Sequence, residues 1–316
     1  MKPIICLIQS LKPEQVTYLA EQYPNYSIVP VAELTTEMEA NVEITLGWQK
    51  ELGERLLANS RLKWIQAISA GVDSFDQAAL AEKGILLSNG SGIHTTAITE
   101  HVLGVTLAIF RGLPQAVLQQ AQHEWQNQSL PFVQLSGKNM LVIGTGHIGQ
   151  QVGKNFQALG VHTYGVNTTG HSVPGFEETY ASQNLLKFVA DMDIIVNILP
   201  LTDETYHLYN QVFFEAMSPT GIFINVGRGP SVHTADLVTA LNQHELAYAA
   251  LDVFEEEPLP IDHPLWTMEN VLITPHHAGV TEHFRDKIFA IFRDNLAQYQ
   301  VDGTLKRNQI QLDRGY

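Results

Sequence analysis

Three polar side chains stand where apolar runs end in the second half of the chain. Arg228 follows "IFINVG", Glu257 ends "LDVFEEE" just before Pro258, and His276 follows "VLITP". These residue types are sufficient for reducing a 2-keto acid. Hydride addition to a ketone leaves an alkoxide that must take a proton. A histidine can give that proton and take it back in the reverse direction. A neighbouring carboxylate stabilises the imidazolium and orients the ring. A guanidinium clamps a carboxylate with its fork of donors and polarises the adjacent carbonyl. Arg228 lies between Gly227 and Gly229, which read as leaving the guanidinium room. Each residue alone has a plainer reading: Arg228 as a surface ion pair, Glu255, Glu256 and Glu257 as a solvated acidic loop, His276 and His277 as loop histidines. Their joint placement beyond strand ends carries the chemistry, because ligands of open α/β sheets gather there.

A second constellation lies upstream. "VIGTGHIGQQVG" places Gly144, Gly146 and Gly149 in G-x-G-x-x-G spacing, after an apolar run and at the head of an amphipathic stretch. That context is what a dinucleotide fingerprint requires. The first glycine makes the tight turn, the second lets backbone approach a pyrophosphate, and the third allows close helix–strand packing. The helix N-terminus, with His147 and Ile148, offers free N–H groups to phosphate. Asn167 stands 23 residues after Gly144, where an acid binding the adenosine ribose is expected. An Asp there would repel the 2′-phosphate of NADP, and Asn167 would not. Thr168, Thr169 and His171 can donate hydrogen bonds to that phosphate, although no arginine follows directly. The electrostatics favour NADP over NAD.

These groups need elements to hold them. Over the first ~90 residues, short apolar runs (3–8, 27–31, 43–48, 62–69, 85–89) alternate with helix candidates such as 12–23 and 50–60. That is a βα repeat and predicts an α/β fold with parallel sheets flanked by helices. Residues 95–126 change character: a long buried helix, then a second helix, "LPQAVLQQAQHEWQN", opened by Pro114. A second alternating block supplies strands at 139–144, 161–166, 193–199, 222–226, 248–253 and 271–274. In its first helix, Ile148, Val152, Phe156 and Leu159 fall on one face. "TADLVTALNQHEL" (234–246) and a tail helix over 282–300 complete the pattern.

Composition excludes several classes. The chain has 316 residues, 18 of them Lys or Arg against 33 Asp or Glu, for a net charge of −15. No basic block is present, so neither nucleic acid nor an anionic membrane is an expected partner. Cys6 is the sole cysteine, which excludes an intrachain disulfide and a cysteine metal cage, and no metal site is expected. The N-terminal apolar run reads as a first strand rather than a signal peptide, and no window reaches 18 apolar residues. A cytoplasmic protein is expected.

Several motifs in order resemble one known family. "SAGVD" (69–73), "TEHVLG" (99–104), "VIGTGHIG" (142–149), "ILPLTDET" (198–205), "NVGRG" (225–229), "LDVFEEEPLP" (251–260) and "LITPHHAG" (272–279) are similar to the D-isomer-specific 2-hydroxyacid dehydrogenases. The resemblance covers most of the chain. It implies two Rossmann-like domains, with the cofactor domain inserted into the substrate (catalytic) domain. Residues 1–93 plus 285–316 would form the flavodoxin-like substrate domain. Residues 94–284 would form the NAD(P)-binding domain, with dimerisation helices near 97–126. It implies Arg228 as substrate binder, His276 as acid/base and Glu257, directly before Pro258, as its partner. It places the N–H groups of Ala70, Gly71 and Val72 near the substrate carboxylate, and Asp252 at the nicotinamide carboxamide. The loop around Pro200 and the carbonyl of Val226 would line the cofactor site. Helices near 97–126 would make a homodimer arm, with Trp125 reaching the partner's active site. His233 stands where the family frequently has aspartate.

The chain stops soon after residue 300, which argues against an added regulatory domain. "HPLW" (263–266) resembles glyoxylate and hydroxypyruvate reductases. The implied activity is NAD(P)-dependent reduction of a small 2-keto acid to a D-2-hydroxy acid. The alternatives are a D-3-phosphoglycerate dehydrogenase-like enzyme, a branched or aromatic 2-keto acid reductase, and an NAD(P)-sensing corepressor-like protein.

Overall fold

The structure, a computed structural model, describes residues 2–72, 74–126 and 132–312. Asp73 of the "SAGVD" stretch and Asn127 of the expected second helix lie outside the described residues. The chain divides into two compact units, Met1–Ile93 with Thr281–Tyr316, and His94–Val280. The return to the first unit thus falls at Thr281 rather than at 285.

The first unit is built on strands β1 (Ile4–Leu7), β2 (Ser27–Pro30), β3 (Val42–Leu46), β4 (Trp64–Gln66) and β5 (Leu86–Ser88). All pair in parallel in the order β2-β1-β3-β4-β5, the flavodoxin-like arrangement. Successive side chains of β1 serve opposite faces. Ile4 and Cys6 pack with Leu52, Leu56 and Leu80, while Ile5 and Leu7 pack with Leu19 and with Ile288, Phe292 and Leu296 of the closing helix Phe284–Asp302. Both faces being covered, the strand reads as an unbroken apolar run. Trp64 stacks on Phe292 at 5.1 Å and donates from Nε1 to Ser88 Oγ at 2.8 Å, so its polar edge is satisfied inside the core.

The second unit carries β6 (Asn139–Ile143), β7 (His162–Asn167), β8 (Glu178–Ala181), β9 (Ile194–Asn197), β10 (Ile222–Asn225), β11 (Tyr248–Leu251) and β12 (Val271–Ile273). They form one parallel sheet ordered β12-β11-β10-β9-β6-β7-β8. Counted from β6, this is the 3-2-1-4-5-6 order of a dinucleotide-binding sheet with one strand added beyond the sixth. One face packs Val142, Val196 and Ile224 against Val102, Val105, Val152 and Phe156. The other packs Leu141, Ile195 and Phe223 against Phe213, Phe214, Leu237 and Leu241.

Three local expectations fail for physical reasons. The helix after the glycine loop ends at Gln157, so Leu159 leaves its face and is 44% exposed. The helix opened by Pro114 runs Leu113–Ala121 and stops short of residue 126, because the backbone turns left-handed at His123, where φ is +58°. Strand β8, at one edge of the sheet, has no buried residue, and its sequence ETYA shows no apolar run to mark it.

Candidate active site

The glycine loop leaves β6 as its three glycines require. Gly144 has φ of +108°, open to glycine at little cost, and its N–H donates to Val166 O at 3.0 Å. A Cβ at Gly149 would collide with the Gly144 carbonyl, so the helix His147–Gln157 can sit this close to the strand only with glycine there. Gly146 differs. Its φ is −72° and a Cβ there would meet nothing within 4 Å. Neither backbone conformation nor protein packing demands a glycine at 146, and the space beside it suits a bulky anion at the helix N-terminus. Gly146 and His147 are exposed, and Ile148 is turned half into the core.

Asn167, the last residue of β7, spends its whole amide on the protein. Nδ2 donates to Thr145 Oγ1 (3.1 Å) and His171 O (2.9 Å). Oδ1 accepts from Thr169 N (3.3 Å) and Gly170 N (2.7 Å). It ties the 167–171 turn to the glycine loop, and Thr169 Oγ1 lies 2.9 Å from His171 Nδ1 within that turn. Thr168 and Thr169 are exposed.

The parallel register sets three strand ends level. Asn225 of β10 pairs with Asn197 and Leu251, and Leu251 pairs with Ile273 of β12. The chain beyond these ends carries Arg228, Glu257 and His276. His276 Nδ1 lies 2.7 Å from Glu257 Oε2, while Glu257 Oε1 accepts from Phe254 N at 2.9 Å. Both carboxylate oxygens are thus fixed, and the ring is held through one nitrogen. His276 has φ of +49°, a left-handed conformation uncommon outside glycine and tolerated by histidine. Asp252 stabilises it. Its carbonyl accepts from His276 N at 2.9 Å, and its buried carboxylate accepts from Thr274 Oγ1 (2.6 Å), His277 N (3.0 Å) and Ala278 N (2.9 Å). Asp252 therefore already braces the loop that bears His276. His101 packs edge-on to His277, and burial pushes its pKa down against the pull of Asp252.

Arg228 is half-buried and donates from Nη1 to Gly227 O at 2.9 Å. Its carbonyl accepts from Ser231 Oγ (2.6 Å) and Asn225 Nδ2 (3.2 Å). Asn197 Nδ2 donates to both Asn225 Oδ1 and Ser231 Oγ at 2.9 Å, and Tyr209 OH donates to Asn197 Oδ1 at 2.9 Å. Asn197, Asn225, Ser231 and Tyr209 are wholly buried, and this connected network holds the arginine's backbone rigid. The flanking glycines answer to backbone packing rather than to room for the guanidinium. A Cβ at Gly227 would press on Asn197 Nδ2 and Leu199 O at 2.8 Å, and one at Gly229 would collide with the Phe254 carbonyl. Val226 N donates to Asn197 O at 3.1 Å, and the Pro200 carbonyl is taken by Thr205 Oγ1 at 2.8 Å.

In the first unit, the Ala70 and Gly71 carbonyls are taken by Asn89 Nδ2 (2.6 Å) and Ser69 Oγ (2.7 Å). No acceptor among the described residues takes the N–H groups of Ala70, Gly71 or Val72. His233, at the N-cap of the helix Thr234–Asn242, has Nδ1 2.9 Å from Asp236 Oδ2. Among the described residues no group of three or more His, Cys, Asp or Glu could hold a metal ion, and no single helix is long and apolar enough to cross a membrane.

The chain is similar to known proteins. The family described as D-isomer specific 2-hydroxyacid dehydrogenase, NAD binding domain, matches residues 103–278. A glyoxylate/hydroxypyruvate reductase B of Enterobacter sp. is 34% identical, with 98% of each chain covered. The crystal structure of a phosphoglycerate dehydrogenase from Lactobacillus plantarum is 42% identical, with TM-score 0.59, over 98% of this chain and 100% of that one. A probable 2-hydroxyacid dehydrogenase from Rhizobium etli, in complex with NADP, HEPES and L(+)-tartaric acid, is 30% identical with TM-score 0.80, over 99% of both. The matched segment contains the three glycines and the Arg228, Glu257 and His276 strand ends, and with these full-length similarities the chain belongs to the D-isomer specific 2-hydroxyacid dehydrogenase family.

Proposed function

We propose that this protein is an NAD(P)-dependent reductase that converts a small 2-keto acid, of glyoxylate or hydroxypyruvate size, to its D-2-hydroxy acid. The observation that carries the reading is the 2.7 Å contact of His276 Nδ1 with Glu257 Oε2, beyond the ends of β12 and β11, which follow β10 and its Arg228 in the sheet order. Bound NAD(P)H supplies the hydride. With Nδ1 engaged by the carboxylate, His276 Nε2 passes the proton to the forming alkoxide. Glu257 stabilises the imidazolium and fixes its tautomer. Arg228 clamps the substrate's carboxylate and carbonyl through its fork. Within the first unit, the same reading takes Ala70, Gly71 and Val72 as substrate binders through their uncharged N–H groups. The His94–Val280 unit takes the role of coenzyme domain and the other that of substrate domain.

The test is a panel of glyoxylate, hydroxypyruvate, 3-phosphohydroxypyruvate, pyruvate, 2-ketoisocaproate and phenylpyruvate with both coenzymes. The small unphosphorylated acids should be turned over fastest. Fastest turnover of the phosphorylated acid would favour the activity named for the Lactobacillus plantarum relative. No NAD(P)H oxidation with any of them sinks the proposal.

Coenzyme binding yields two expected results. Gly146→Ala should leave the melting temperature near wild type, since the added methyl meets no protein atom. NADPH binding should weaken by about ten-fold or more, as the methyl holds the pyrophosphate off the backbone. Unchanged binding by fluorescence titration would remove Gly146 from the site. Asn167→Asp should shift the NADPH-to-NADH efficiency ratio toward NADH by about ten- to a hundred-fold, because like-charge juxtaposition costs a few kcal/mol. Both coenzymes should also lose some affinity, since a carboxylate cannot donate to the His171 carbonyl as Nδ2 does. A ratio that stays put would show that Asn167 does not select the coenzyme.

A homodimer is part of the proposal. No residue of the helix Leu113–Ala121 is buried, although it carries Leu113, Val117 and Leu118, and Trp125 just beyond it is 96% exposed. Such an apolar face fits a second copy of the chain. A single-chain mass in sedimentation at micromolar protein would overturn it.

A further inference from the structure

Glu255 and Glu257 leave the same loop after β11, and their different partners give them different work. Glu257 meets His276. Glu255 Oε1 lies 2.7 Å from His207 Nε2, and its Oε2 accepts from Thr234 N at 2.7 Å. Thr234 opens the helix Thr234–Asn242, whose N-cap residue, His233, makes no side-chain cap bond among the described residues. The cap arrives instead from another element. Glu255 is 31% exposed and His207 27%. Burial opposes the charge on Glu255, but the bonds from Thr234 and His207 outweigh it and hold its pKa below the ordinary value.

Both anchors belong to the frame that carries Arg228. His207 N donates to Pro230 O (3.0 Å), Tyr209 N to Ser231 O (3.0 Å) and His233 N to Tyr209 O (2.9 Å), so the 207–209 and 230–233 segments are zipped together. Gly229 lies against the Phe254 carbonyl. Phe254 N, one residue before Glu255, is the donor that fixes Glu257 Oε1. Glu255 is therefore the junction between the segment supporting Arg228 and the segment supporting Glu257.

We propose that Glu255 is a positioning residue, which through Phe254 holds the Glu257 carboxylate against His276 and in register with Arg228. This rests on the reading of Glu257 and His276 as the acid/base pair. The competing role, a helix cap that serves stability alone, makes different predictions.

The test uses the full chain with Glu255→Ala, with Glu255→Gln as the conservative variant and with His207→Phe, which keeps a ring beside Tyr206 and His233 but removes one anchor. Glu255→Ala should lower kcat by about ten- to a hundred-fold, since a displacement near 1 Å in a catalytic constellation costs about that much. KM for the coenzyme should stay within about two-fold of wild type. Glu255→Gln, which still accepts from Thr234 N, should recover most of the loss, and His207→Phe should lose several-fold. A crystal structure of Glu255→Ala should show the Glu257–His276 contact opened beyond hydrogen-bonding reach. A kcat within about two-fold of wild type in Glu255→Ala, or a retained contact with only a lower melting temperature, overturns the proposal. If Glu255→Ala does not fold, a wild-type kcat in His207→Phe overturns it. If the wild-type chain reduces no keto acid, the functional reading fails and the crystallographic contact alone decides the positioning role.

Discussion

Replacing His276 with alanine is expected to lower kcat for keto-acid reduction by about 10²- to 10⁴-fold, the usual worth of a positioned general acid. Coenzyme binding should stay near wild type. The side chain is held by the Glu257 carboxylate, while its backbone N–H donates to Asp252 O. Removing the ring leaves these backbone bonds and the Asp252 brace in place, so the loop has no reason to collapse. The loss should fall on proton transfer. Glu257→Gln should also lose activity, by less than or as much as the alanine variant. Its amide can offer an N–H to Nδ1 and so turn the ring into the tautomer that has no proton on Nδ1 and keeps one on Nε2. The discriminating measurement is steady-state kinetics beside a coenzyme titration. A His276→Ala variant within ten-fold of wild type in kcat/KM would move the proton donor elsewhere. His101 would then be the group to examine, since its Nε2 lies 3.4 Å from Thr274 Oγ1 on the same loop.

The parts of this site legible in the sequence are those whose chemistry and spacing coincide. Gly144, Gly146 and Gly149 announce themselves because a strand must turn, admit an anion and pack a helix within six residues. Arg228, Glu257 and His276 stand out because each is a polar group placed where an apolar run ends. What supports them is illegible for a definite reason. Asn197 reaches Asn225 and Ser231 across 28 and 34 positions of chain, and no local pattern distinguishes a buried amide in "IVN" from one at a turn. Three consecutive glutamates look alike in sequence. Tertiary contacts alone separate Glu255, on Thr234 and His207, from Glu257, on His276. The same holds for the fold. Buried parallel strands announce themselves as apolar runs, whereas β8, half-exposed at a sheet edge, does not. Asn167 was legible as a missing charge but not as a brace, because its four hydrogen bonds depend on the turn it closes.

The second large effect is expected at Arg228. Arg228→Lys keeps the positive charge, so a purely Coulombic role would leave activity within a few-fold. The geometry argues for more. The arginine's backbone is fixed by Ser231 Oγ and Asn225 Nδ2 on its carbonyl and by the two glycines pressed against neighbouring backbone. A side chain whose root is held this firmly presents its planar fork in one orientation, and one of its donors, Nη1, is already directed by the Gly227 carbonyl. A lysine from the same root offers three donors about a single atom, cannot satisfy the Gly227 carbonyl and bind a carboxylate bidentately together, and carries a more tightly hydrated charge. Loss of one preorganised donor to a developing oxyanion costs about 10²- to 10³-fold in kcat. Arg228→Lys should therefore lose about 10²-fold in kcat/KM, with KM for the keto acid rising and kcat falling together, because the same fork binds the carboxylate and polarises the carbonyl. Arg228→Gln should lose more, as both charge and fork are gone. Lysine indistinguishable from arginine in both parameters would show that the charge alone is used, and the bidentate clamp would have to be abandoned.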